Sequence, residues 1–224
     1  MKSETIVLLI KGRRMKPTEY IILAISIIFV LLFTSIELIS VLKPIYNKEY
    51  IANNVYEVNY VKNYPVDYVT DDIILYLSDV IDDMNQRDYF ENRENIHMID
   101  VKVLFDLGKI VRLICIIFIS FILSRLSEEK EFVKKYRITY IGVLFLISFI
   151  AIVISRNFSV AFVKFHHIFF NNDNWILDPS ESIIINLMPE RFFMNLSIYI
   201  IATFIVLNIL HHILISKLCK AHNF

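Results

Sequence analysis

Four stretches of the chain are apolar for long enough to cross a bilayer, which takes about 20 residues of helix. They are residues 20–42, 103–123, 138–155 and 196–216. Two long polar segments, 43–102 and 156–195, and one short one, 125–137, lie between them. The first apolar stretch exceeds a signal-peptide core, and no A-x-A-like cleavage site follows it, so it reads as a retained helix. Lys and Arg gather before it (Lys2, Lys11, Arg13, Arg14, Lys16), in the short connection (Arg125, Lys130, Lys134, Lys135, Arg137) and in the tail (Lys217, Lys220). Positive charge marks the cytoplasmic side of a membrane protein. The 43–102 segment instead carries Asp67, Asp71, Asp72, Asp79, Asp82, Asp83 and Asp88. The pattern therefore predicts an all-α membrane protein: a four-transmembrane-helix bundle over 1–224, both termini cytoplasmic. Segments 43–102 and 156–195 form a small extracytoplasmic cap.

Within that cap the polar pattern changes period. Residues 54–61, NVYEVNYV, alternate and are β-branched and aromatic, which predicts a strand. Residues 70–84 place Ile73, Leu77, Val80, Ile81 and Met84 at helical spacing behind Thr70 and two aspartates, as a capped helix prefers. The cap is accordingly expected to be mixed α/β.

Composition narrows the chemistry. The chain is 56% hydrophobic with zero formal net charge, which fits a small polytopic membrane protein and argues against a nucleic-acid partner. It has three glycines, so Gly-rich phosphate loops and nucleophile elbows are absent. The two cysteines, Cys115 and Cys219, form no CxxC pattern. No HExxH occurs, and no inner-side partner exists for a haem-ligating histidine, so neither metal nor cofactor is expected.

Two stretches carry reactive side chains. FHHIFFNNDNW, from Phe165 to Trp175, holds two adjacent histidines among aromatic residues. If residues 158–170 are helical, Phe158, Phe162, Phe165 and Phe169 form one stripe, suited to an interfacial helix. His166 lies at the edge of that stripe, at the depth of a lipid ester, and His167 lies on the far side towards Lys164. The second stretch, from Arg93 to Arg112, leads into the second apolar segment and carries His97, Asp100, Lys102, Asp106 and Lys109. Charges at such depth face a protein interior or a wet cavity. One reading is a structural Asp106–Lys109 pair with Arg112 snorkelling. The other is a polar cavity opening outward, to which Glu37 contributes. His211 and His212 read as polar residues near an inner boundary. No serine or cysteine carries the signature of an activated nucleophile. Histidines and carboxylates without nucleophile, metal or cofactor suggest general acid–base catalysis between partners that arrive together.

The sequence resembles the lipoprotein intramolecular transacylases (Lit) of Gram-positive bacteria. One motif is Arg93, Glu94, His97, Met98, Asp100, Val101, Lys102, Leu104 and Phe105. The other is Phe165, His166, Phe169, Phe170, Asn172, Asp173, Trp175, Leu177, Asp178 and Pro179, then Leu187, Pro189, Glu190, Phe192 and Phe193. Asn95 and His167 fall at positions taken as variable. The resemblance implies a diacylglyceryl-cysteine lipoprotein as substrate. It implies transfer of the sn-2 acyl chain to the cysteine α-amine, giving the lyso-form lipoprotein. On that reading His166 deprotonates the amine, and His97 donates to the sn-2 oxygen or holds the tetrahedral intermediate, or the two exchange roles. Asp100 or Asp173 would fix imidazole tautomers, and Lys102, Arg93 or Asn172 would stabilise the oxyanion. Phe165, Phe169, Trp175 and Arg112 would contact substrate. The expected setting is a bacterial cell membrane crossed several times, with the active site on its extracytoplasmic side and membrane lipids as neighbours.

Two other readings compete. A non-enzymatic lipid-binding or transport-associated protein would show polar residues through the inner half of the bundle. Here Leu113 to Leu123 is apolar apart from Cys115 and Ser120. A membrane acyltransferase drawing on free phospholipid would leave a lysophospholipid.

Overall fold

In lipid no water is available to pair backbone groups, so an apolar chain satisfies them within its own helices. The computed structural model follows that rule. It describes residues 15–124 and 131–221, and among them every regular element is helical. The elements are α1 (Pro17–Ser40), α2 (Lys43–Ala52), α3 (Val66–Leu77), α4 (Asn92–Ser124), α5 (Phe132–Ser155), α6 (Phe158–Phe169), α7 (Ile183–Leu187) and α8 (Glu190–Ala221). Four helices are long and apolar enough to cross a membrane: Pro17–Ser40, Asn92–Ser124, Phe132–Val153 and Glu190–Lys217. The basic residues up to Arg14, together with Arg125, Lys130 and His222, lie outside the described residues.

The chain divides into two compact units. The first comprises Met1–Phe33, Lys109–Val153 and Phe204–Phe224. Its core is built by Tyr20, Leu23, Ala24 and Ile28 of α1 against Tyr136 and Tyr140 of α5. The tyrosine hydroxyls cannot be left unpaired in such a place. Tyr136 Oη lies 2.6 Å from His211 Nε2, and Tyr140 Oη donates to Asn208 Oδ1 at 2.7 Å. His211 is therefore an internal hydrogen-bond partner, and His212 packs its ring edge-on against Tyr140 at 5.2 Å.

The second unit comprises Thr34–Gly108 and Ile154–Thr203. Its core joins Tyr46 and Tyr50 of α2, Val69 and Ile73 of α3, Met98 of α4, Ile183 and Leu187 of α7, and Phe192 of α8. A buried carboxylate ties α2 to α8. Glu49 is 2% exposed and accepts from Asn195 Nδ2 at 2.7 Å and Tyr199 Oη at 2.9 Å.

The expected α/β cap is overturned: no strand occurs among the described residues. Residues 54–61 make short 3-10 turns at Val55–Glu57 and Val61–Asn63. Asn54 adopts the left-handed conformation, φ 54°, that ends α2 and that asparagine tolerates. Val55 and Val61 are buried and Val58 packs against the same core. That spacing of three is the 3-10 period, and no neighbouring strand offers a ladder. The expected helix at 70–84 is also displaced. It begins behind Pro65 at Val66, and Thr70 hydrogen-bonds back to the Val66 carbonyl instead of capping. It ends at Leu77, and Asp79 then turns left-handed at φ 60°. Val80 and Ile81 lie beyond it, and Val80 is exposed.

Candidate active site

α4 begins at Asn92, so the residues from Arg93 to Lys102 are its first turns rather than a loop leading into it. Three of them clamp the second half of the unit. Glu94, 1% exposed, accepts from Ser182 Oγ and from the Ile184 N–H at 2.7 Å, and so caps α7. Its other oxygen accepts from the Glu91 N–H at 2.8 Å and caps α4 itself. Arg93 donates to the Asp173 carbonyl at 2.9 Å, and Asp100 accepts from Asn172 Nδ2 at 2.9 Å. Asn172 Oδ1 also accepts from the Asn174 N–H, turning the loop that presents Trp175.

α6 supplies the other half of the site. Asn157 caps its start through an acceptor bond from the Val160 N–H, and the helix runs over Phe158–Phe169 as the aromatic stripe predicts. Phe165 and Phe169 are exposed, with rings 4.8 Å apart, whereas Phe162 lies against His166 at 4.4 Å. His166 is the buried member of the histidine pair, 7% exposed, and His167 is exposed.

The rings of His97 and His166 lie 6.0 Å apart, close to parallel. Phe170 flanks both, 5.2 Å from His97 and 5.4 Å from His166. Trp175 lies tilted against His166 at 4.7 Å and meets His167 edge-on at 5.1 Å. The Phe162 carbonyl, which can only accept, is 2.7 Å from His166 Nδ1. Nδ1 therefore carries the proton and Nε2 keeps its lone pair, as a base requires. Burial lowers the His166 pKa from its ordinary value, the backbone bond to Phe162 opposes the shift, and neighbouring His167 adds to it. The imidazole is thus neutral at physiological pH. His97 is half-buried, and its Nδ1 is buried without a hydrogen-bond partner among the described residues. Trp175 Nε1 is in the same condition.

The remaining sequence candidates are placed as follows. Asp100 and Asp173 bond the loop through Asn172 and Arg93, and the His166 tautomer is held by Phe162 instead. Lys102 pairs with Asp79 and stands 3.6 Å from Asp106, with its ammonium over Tyr76. Arg112 belongs to the first unit. Phe170, Phe162 and Glu94 had not been singled out as site residues. Glu94 had a signal, since it precedes His97 by one turn in the same motif. The Phe162 contribution is a backbone carbonyl and has no side-chain signature.

The long apolar helices define a class: among the described residues four are fit to cross a membrane, as in an integral membrane protein. The comparisons make the class specific. The family model for Lipoprotein intramolecular transacylase Lit matches residues 21–193, and the chain belongs to that family. It is an acyltransferase by that membership. The structure is similar to the in meso structure of the membrane integral lipoprotein intramolecular transacylase Lit from Bacillus cereus. Identity is 25%, with a TM-score of 0.72, covering 92% of this chain and 96% of the other. Two variants of the Bacillus cereus enzyme, each with one histidine replaced, match in fold at 24% identity. The arginine variant has a TM-score of 0.74 over 92% of both chains. The alanine variant has 0.73 over 92% of this chain and 94% of that one. No curated protein matches the sequence.

Proposed function

We propose that the chain moves the sn-2 acyl group of a diacylglyceryl-cysteine lipoprotein to the cysteine α-amine, using His166 and His97. The observation that carries this reading is the His97–His166 pair itself, two imidazoles 6.0 Å apart, close enough to flank one ester. Amine and ester belong to one substrate molecule, so binding need only fold it, and no acyl-enzyme is required. His166 Nε2 accepts the amine proton as nitrogen bonds to the ester carbonyl carbon. The tetrahedral oxyanion then collapses, the bond from carbon to the sn-2 oxygen breaks, and that oxygen takes a proton from His97 as the His166 imidazolium returns one to His97, so both rings end as they began. One proton is taken and one returned, and ester gives way to the more stable amide, so no external energy source is needed.

The exposed Phe165 and Phe169, with Ile168 beside them on α6, present an apolar face for the acyl chains and the acyl–headgroup boundary. The acidic 43–102 segment and the basic 125–137 connection support an extracytoplasmic site with cytoplasmic termini.

The test is mass spectrometry of a diacylated lipoprotein co-expressed with each variant. His166→Ala and His97→Ala should give no lyso-form, and His167→Ala should give the normal amount. Undiminished lyso-form from both of the first two variants would remove the mechanism. Loss in the third would reverse the choice within the pair.

A further inference from the structure

An oxyanion needs a donor held in place before charge develops. The candidate side-chain donors of the two motifs already have acceptors: Arg93 the Asp173 carbonyl, Asn172 the Asp100 carboxylate, and Lys102 the Asp79 and Asp106 carboxylates. Beside His166 two ring nitrogens have none among the described residues, His97 Nδ1 and Trp175 Nε1, and His97 is already engaged in the proton transfer. Trp175 Nε1 is buried, and its ring lies tilted against His166 at 4.7 Å. Buried N–H groups are nearly always paired, and an exception calls for a reason. The loop bearing Trp175 is fixed at Asn172 and Asp173 by bonds to α4, and its turn is closed by Asn172 Oδ1. A wandering side chain therefore does not account for the unpaired N–H.

The geometry points to the Trp175 indole N–H as the donor that binds the ester carbonyl oxygen and holds it as it becomes the oxyanion. This assignment rests on the acyl transfer proposed above. As the amine adds on the His166 side, the carbonyl π electrons pass to oxygen, and the Nε1–H shortens its bond to that oxygen. When the intermediate collapses the electrons return and the bond relaxes. Trp175 exchanges no proton. The indole and the base are neighbours, with ring centroids 4.7 Å apart, so one ester can reach both.

The N–H can be removed while the ring stays. In full-length enzyme reconstituted in liposomes, the benzothiophene isostere at position 175 replaces the N–H with sulfur. Turnover of a diacylated lipopeptide should fall by about 100-fold or more, as for other single oxyanion donors, with KM changed less than about 2-fold. Trp175→Phe should fall at least as far. A turnover loss under about tenfold for the isostere, or a loss carried by KM, overturns the assignment. His166→Ala and His97→Ala run in the same assay keep the two ideas apart. If they are inactive while the isostere is active, the indole role fails and the histidine mechanism stands. If they are active, the mechanism itself fails. A second measurement needs no variant. Trp175 is the sole tryptophan, so 15N-labelled protein shows one indole N–H resonance. Adding an N-acetylated diacylglyceryl-cysteine peptide, which keeps the ester but cannot react, should move that resonance downfield. A resonance that stays in place at saturating ligand refutes the assignment.

Discussion

Replacing Glu94 tests whether the histidine scaffold is held by one buried carboxylate. Glu94 is 1% exposed and accepts from Ser182 Oγ, the Ile184 N–H and the Glu91 N–H. Glu94→Ala strips the acceptor from all three donors. A hydrogen bond to a charged acceptor contributes about 1.5–3 kcal/mol, and a buried donor left unpaired costs about 1–3 kcal/mol. Ser182 Oγ still accepts from the Ile185 N–H, 3.3 Å away, so this cap of α7 survives while the Ser182 O–H loses its acceptor. The expected total is about 3–5 kcal/mol. For a chain of this length each kcal/mol lowers Tm by about 2–4 °C, so the melt should fall by about 10 °C. Glu94→Gln keeps a carbonyl oxygen on one side and turns an N–H2 towards a donor on the other, and should cost about 1–2 kcal/mol. The assay is thermal unfolding in detergent, followed by fluorescence of Trp175, the one tryptophan. Its indole sits on His166, so the signal reports the site directly. Activity should follow the melt, because Glu94 stands one turn before His97 and fixes α4 against α7. A Glu94→Ala melt within about 2 °C of the parent would refute the reasoning, since it would mean that three buried bonds contribute nothing.

Other expectations follow from the same geometry. The base must be neutral to act, and burial lowers the His166 pKa below its ordinary 6.5. Protonation therefore removes the base only as pH falls below that value, and once kcat/KM is corrected for ionisation of the substrate α-amine (ordinary pKa about 8), the remaining enzyme limb should lie below 6.5; a remaining limb above 6.5 contradicts the burial argument. Lys102→Met should change turnover by less than about tenfold, because its ammonium is already paired with Asp79 and Asp106; a loss of about 100-fold would return it to the oxyanion. Glu49→Ala leaves the half-buried Asn195 and Tyr199 donors without their acceptor and should cost about 2–4 kcal/mol in thermal melts, with an unchanged melt counting against the α2–α8 tie.

Much of the molecule is readable from composition along the chain. An apolar run long enough to cross a bilayer has few alternatives to a helix, because lipid supplies no partner for the backbone. The Phe158–Phe162–Phe165–Phe169 spacing likewise sufficed for α6, since an aromatic stripe at that period has one natural conformation. His97 and His166 were legible as candidates because imidazoles bounded by charged and aromatic motifs are unusual beside such runs. Short-range pattern failed at residues 54–61. Alternation there suggested a strand, but Val55, Val58 and Val61 were serving a core assembled from α2, α3 and α7. No local window contains that core.

The sequence by itself determined the four long apolar helices, α6 and the membrane class, and it marked the two histidines as candidates, because each follows from spacing along one segment. Tertiary structure alone decided their relation. Residues 69 positions apart in sequence meet with rings 6.0 Å apart because Glu94 reaches Ser182 and Ile184, Arg93 reaches Asp173, and Asp100 reaches Asn172. It also decided which His166 nitrogen is free, through a backbone carbonyl that no sequence motif can announce. Hydrogen-bond donors find their acceptors by distance and angle in space, and neither is written in the order of residues along the chain.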